Sequence, residues 1–200
     1  MRFPVEVSFR VLALAARVSV YDAGGAPQCF MRQKAFKLKE DVTVYADEGE
    51  ATPVARIRAD RVLDFSALYH ITDAAGAPLG AVRRRGRASL WRATYEVVRD
   101  GAVLFTLREA NPWVKVADGL FQQIPVVGLL SGYVLHPRYV VWRGSGGADG
   151  AGEAALQIRK EAALFESTYV LSDPAEFSPA DERLLLFAVL MALVLERARG

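Results

Sequence analysis

Up to about residue 172 the chain alternates apolar and polar positions in short stretches. Val5, Val7, Phe9 and Val11 alternate with Glu6, Ser8 and Arg10. Phe36 and Leu38 alternate with Lys37 and Lys39, and Ala55, Ile57 and Ala59 with Arg56 and Arg58. Val103, Phe105 and Leu107 alternate with Thr106 and Arg108. Phe165, Tyr169 and Leu171 do so with Glu166, Thr168 and Val170. Period-two patterning predicts strands with one face buried and the other wet. Between them stand "YDAGGAP", "YADEGEATP", "TDAAGAP" and "RDGA", each with an Asp followed closely by a Gly, the chemistry of tight hairpin turns. Gly25, Gly49, Gly76 and Gly101 recur about every 25 residues, one hairpin plus a connection each. Many short antiparallel strands at this spacing predict a barrel or a sandwich.

The pattern then changes. Twelve consecutive apolar residues run from Leu184 to Leu195. Spanning a bilayer takes ~20 apolar residues, and a run of this length belongs more often to a buried helix than to an anchor. Ser178 is positioned as an N-cap, Pro179 opens the helix, Asp181 and Glu182 suit its first turn, and Arg197 and Arg199 suit its end. A helix that is apolar all round must be enclosed. The reading is one domain over residues 1–200, with barrel strands to about 172 and a helix over about 179–198 filling the lumen. A closed barrel also removes its own strand edges.

Together, "VSVYDAGGAPQCFMRQKAFKLKEDVTVYADEG", "LYHITDAAGAPLGAVRRRG" and the later "NPWVKVADGLFQQIPVVGLLSGYVLHPRYVV" resemble the LURP-one-related proteins. That family lies in the tubby C-terminal-like superfamily with the phospholipid scramblases. The resemblance runs from Val18 to Leu195 and rests on the order of soft motifs together with the terminal helix. It implies a mainly β fold, a closed antiparallel barrel of about twelve strands threaded by its C-terminal α-helix.

Composition narrows the chemistry. Hydrophobic residues at 52% and charged residues at 24% describe a globular chain. A net charge of +2 argues against a nucleic-acid partner. The single cysteine, Cys29, excludes an internal disulfide framework. The alternation of residues 5–11, with Arg10 and Arg17 interrupting any apolar h-region, is unlike a signal peptide. His70 and His136 lie in separate segments, and no nucleophile elbow, HExxH or Walker-type motif occurs. The glycine-rich Gly144–Gly152 lacks the lysine of a phosphate loop and reads as a hairpin tip. No catalytic residue, cofactor or metal is expected.

Three features remain as candidates. The first is basic: Lys37, Lys39, Arg56, Arg58, Arg83, Arg85 and Arg87, with Arg83, Arg85 and Arg87 on one strand face. Guanidinium groups hold phosphates bidentately, and tubby domains bind phosphoinositide headgroups through basic surface residues. A solvated barrel exterior explains the same residues. The second is the apolar stretch from Phe121 to Gly132, which caps a barrel mouth or offers Ile124, Val126, Val127, Leu129 and Leu130 to a partner. The third, Asp173, Glu176, Asp181 and Glu182, lacks the acid density of a calcium loop, and helix capping accounts for its last two members. The expectation is a non-enzymatic, cytoplasmic docking module, peripheral to the membrane and without a transmembrane span. Its partner is an anionic phospholipid surface. The alternatives are a protein scaffold using residues 121–132 and a scramblase-like lipid handler.

Overall fold

A computed structural model of the chain describes residues 1–12, 15–34, 41–61, 67–85, 94–110, 138–145, 152–161, 167–172 and 174–197. Twelve strands occupy them: β1 (Val5–Leu12), β2 (Ala15–Tyr21), β3 (Pro27–Lys34), β4 (Asp41–Tyr45), β5 (Pro53–Ala59) and β6 (Leu68–Asp73). These are followed by β7 (Pro78–Arg84), β8 (Thr94–Arg99), β9 (Ala102–Glu109), β10 (Arg138–Arg143), β11 (Ala154–Glu161) and β12 (Ser167–Ser172). Helix α1 (Pro179–Arg197) comes last.

Each strand pairs antiparallel with its sequence neighbours, and β1 pairs with β12 to close the ring. Of the barrel and the sandwich that the alternation allows, the closed barrel is the one formed. Inward residues are matched in register, such as Val7 with Val20, Val18 with Met31, and Ile57 with Ile71. Ala55 and Ile57 are buried while Arg56 and Arg58 point outward, as the pattern predicts. Thr106 departs from the simple rule: its outer-face hydroxyl donates to the Gly144 carbonyl at 2.7 Å and the residue is buried.

The helix lies within this ring. Every residue from Leu184 to Val194 is buried and joins the inward strand residues in one core. No helix among the described residues is long and apolar enough to cross a membrane. Its start follows the sequence reading: the Ser178 hydroxyl accepts from the Asp181 amide at 3.1 Å, and the Ser178 carbonyl from the Glu182 amide at 2.9 Å. Arginines fasten this end to the wall. Arg99 donates to the Leu79 carbonyl and to Asp181, Arg143 to the Glu176 carbonyl, and Arg183 to the Val54 carbonyl. The acidic segment ahead of the helix thus serves capping and fastening; Asp173 lies outside the described residues.

The 25-residue spacing of the turns has a geometric origin. The four turns join β2–β3, β4–β5, β6–β7 and β8–β9, every second connection, so they share the end of the barrel where α1 begins. Asp22 and Asp73 each accept two backbone amides across their turns, and Asp47 accepts one from Gly49. In the second turn the left-handed residue is Glu50 (φ 55°), not Gly49.

At the opposite end the lumen becomes polar. Tyr95 donates to Glu196 in the last helical turn at 2.8 Å. Tyr139 faces the buried Glu109 across β9–β10, and Arg197 stands 5.1 Å above the Phe9 ring. Burial first, and then the Glu196 carboxylate, push both phenols well above the ordinary tyrosine range.

Candidate functional site

The outer wall carries the predicted basic residues in two arrangements built alike. In each, one carboxylate on a strand engages two arginines spaced i, i+2 on the neighbouring strand or just past its end. On β4–β5, Asp41 is bidentate to Arg56, with Arg56 Nε at 2.5 Å from Oδ1 and Nη2 on Oδ2, while Arg58 Nη2 reaches the same Oδ2 at 3.1 Å. On β7–β8, Glu96 takes Arg83 Nε and Nη2, both at 2.8 Å, with Arg85 Nε at 3.8 Å. Strand pairing explains both. Asp41 stands opposite Arg58, and Arg83 opposite Glu96, on the outward phase of the pleat.

The two differ in exposure. The Glu96 side chain is only 10% exposed, so Arg83 acts mainly as the counter-charge of a buried acid. Arg84, between them, is on the opposite face and is paired in register with the inward Tyr95. On β4–β5 the Asp41 side chain is 34% exposed, and the Arg56 and Arg58 guanidiniums project at 53% and 61%. Hydrogen bonds from Arg56, and then from Arg58, hold the Asp41 carboxyl below the usual aspartate range.

The arrangement on β4–β5 opens onto a concavity. A groove of about 710 Å³ runs along the outer faces of β4, β5 and β6. Arg56, Arg58, His70, Thr43, Thr72 and the carboxylate Asp73 are among the residues that line it. Its floor is a small grid. Thr43, Arg56 and Thr72 form one row across the three strands, and Arg58 and His70 belong to the next, whose β4 member, Asp41, stands beside the groove rather than in its lining. Guanidinium, imidazole and hydroxyl groups converge there, a donor set suited to an oxyanion.

The structure thus separates the candidates that the sequence grouped. Arg56 and Arg58 lie together in the groove. Arg83 and Arg85 lie together beside Glu96, two strands away. Lys37, Lys39, Arg87 and the apolar stretch 121–132 lie outside the described residues. His70, Thr43 and Thr72 were not singled out as binding residues, because alone each is an ordinary strand residue. Their shared outward phase was readable; their adjacency required the register. Among the described residues no three His, Cys, Asp or Glu side chains gather as a metal site would require.

Comparison with known sequences agrees with the architecture. The sequence model of the LURP-one-related family matches residues 27–119, a segment that begins with β3 and includes the whole groove. No curated protein and no solved structure matches the chain. Residues 27–119 are thus similar to a LURP-one-related domain, a family of the tubby-like C-terminal superfamily.

Proposed function

We propose that the chain is a non-enzymatic docking module whose β4–β6 groove receives the anionic headgroup of a membrane phospholipid at the cytoplasmic surface. One observation carries this reading. Arg56 and Arg58 stand exposed in a concavity that also presents His70, Thr43 and Thr72. Asp41 pairs with both guanidiniums, and Asp73 at the turn end of the groove is held by the Ala75 and Ala77 amides, so the two exposed guanidiniums rather than a net positive charge carry the attraction. Each basic residue brought near an anionic surface contributes ~1 kcal/mol, reduced by salt. The family match supports a tubby-like setting for such a site and does not identify its ligand.

Liposome co-sedimentation tests the reading. The parent protein is expected to bind vesicles of phosphatidylcholine with an anionic phospholipid and to ignore phosphatidylcholine alone. Changing Arg56 and Arg58 together to Gln should weaken binding by ~2 kcal/mol at low salt, on the scale of ~1 kcal/mol per cation. Equal binding by parent and double variant would remove the groove from the proposal.

A further inference from the structure

Asp41 occupies the groove's two guanidiniums in the same manner as a ligand would. Its two oxygens take two parallel N–H groups of Arg56, and one of them also takes Arg58. This fork-on-fork geometry is the one by which arginine holds carboxylates and phosphates alike. The carboxylate is attached to the neighbouring strand, so its effective concentration at the arginines exceeds that of an untethered competitor. We infer that Asp41 is a built-in occupant of the groove's two guanidiniums, and that displacing it sets which headgroups can enter.

The charge of the entrant decides the competition. A phosphodiester headgroup brings one negative charge, the same as the carboxylate it must displace. A phosphomonoester brings ~1.5 to 2 charges near neutral pH and three strong acceptor oxygens. Three acceptors can engage Arg56 and Arg58 together, with Thr43 and Thr72 placed on either side of Arg56. Once released, Asp41 lies beside solvent, with its side chain 34% exposed, so displacement does not strand a buried charge. The groove therefore selects a phosphomonoester lipid headgroup over a phosphodiester one, and Asp41 is the residue that sets the selectivity. By contrast, Glu96 at 10% exposure could not be freed from Arg83 without leaving a buried carboxylate unpaired, so that arrangement stays closed.

This inference rests on the docking reading, and the experiment separates the two. Vesicles of phosphatidylcholine doped with phosphatidic acid or with phosphatidylglycerol are adjusted to equal surface potential and compared by co-sedimentation. The parent should favour the phosphatidic acid vesicles by ~5-fold or more, the scale of one elementary charge at a membrane surface. Asp41→Asn and Asp41→Ser should each gain ~5-fold on phosphatidylglycerol vesicles and lose most of the preference, by the same one-charge scale. Asp41→Glu, which keeps the charge, should behave as the parent. Glu161→Gln, on the far side of the barrel, controls for net charge and should leave the ratio unchanged. Circular dichroism confirms that each variant is folded. An unaltered ratio in the neutral Asp41 variants, with binding still dependent on Arg56 and Arg58, overturns the inference and leaves docking standing. Weaker binding of both vesicles by those variants also overturns it and makes Asp41 a positioning group. No preference of any variant for anionic over neutral vesicles removes both.

Discussion

Gly80 and Leu184 meet where the helix comes against the barrel wall. A Cβ placed on Gly80 would stand 2.8 Å from Leu184 Cδ2 and 2.7 Å from the Val98 carbonyl oxygen. Its backbone, at φ 150°, is in a region that side chains other than hydrogen rarely allow. The leucine tip can rotate away, but the carbonyl belongs to the neighbouring strand and cannot. Gly80→Ala is therefore expected to cost about 2–3 kcal/mol, as overpacking of a filled core does. Urea denaturation would show a lower midpoint at unchanged slope. An alanine variant as stable as the parent would mean that the helix stands farther from the wall.

The two arginine arrangements should respond differently to substitution. Arg83→Gln leaves the Glu96 carboxylate, 10% exposed, without the guanidinium on its Oε2, and a loss of ~1–3 kcal/mol is expected. Arg56→Gln removes an exposed cation and should change stability by less than ~0.5 kcal/mol. Thermal melts of the two variants side by side decide the matter. Equal melting temperatures would mean that Glu96 is better hydrated than its burial indicates.

Acid should loosen the end of the barrel where the helix begins. Burial works to raise the Asp181 carboxyl, but hydrogen bonds from Ser178 and Arg99 outweigh it and leave the group lowered. Asp41, at the other end of β4, is likewise lowered by Arg56 and Arg58. A depressed folded-state value means that the stabilisation is fully present above the unfolded value of about 3.9 and is lost as pH falls through the lower folded one. The melting temperature should thus decline below about pH 4, and Asp181→Asn should flatten that decline. An acid limb unchanged in Asp181→Asn would assign the loss to other carboxylates.

Cys29 should report opening of the barrel. It faces the lumen beside Val20, is 2% exposed, and burial pushes its thiol up to about 12. The reactive thiolate is then scarce at pH 8, and the reagent has no approach. Labelling by a disulfide reagent is expected to proceed at the rate of global unfolding and to accelerate with urea. Prompt labelling without denaturant would place a local opening at β2–β3.

Leu190 tests the filling of the lumen, being fully buried at mid-helix. Leu190→Ala should cost about 2–5 kcal/mol, the range for a cavity in a tight core. Leu190→Asp should leave an unfolded or molten chain, because the charge would sit within the buried apolar core. A folded aspartate variant would require water inside the barrel.

Barrel and helix were legible because each is written in local periodicity. Ala55, Ile57 and Arg56, Arg58 fall on opposite faces as their alternation requires, and Ser178 caps the helix as its position predicts. The site was legible only in part. Arg83 and Arg56 look the same along the chain, yet one is opposite the buried Glu96 and the other opens onto a groove. What separates them is the residue on the adjacent strand, and a single sequence does not state register. Nor does alternation foretell which outward position is overlaid, as Thr106 shows.

The neighbour-to-neighbour order of the strands has a consequence for biosynthesis. A ribosome delivers β1 first, β12 long afterwards, and the filling helix only after that. Throughout that interval the nascent sheet carries two unpaired borders and an uncovered apolar face, the condition in which growing chains stick to one another. Yield in the cell therefore depends on how quickly the last segment is translated and seated. Substitutions that delay it would reduce the amount of protein recovered while leaving the finished molecule as stable as before.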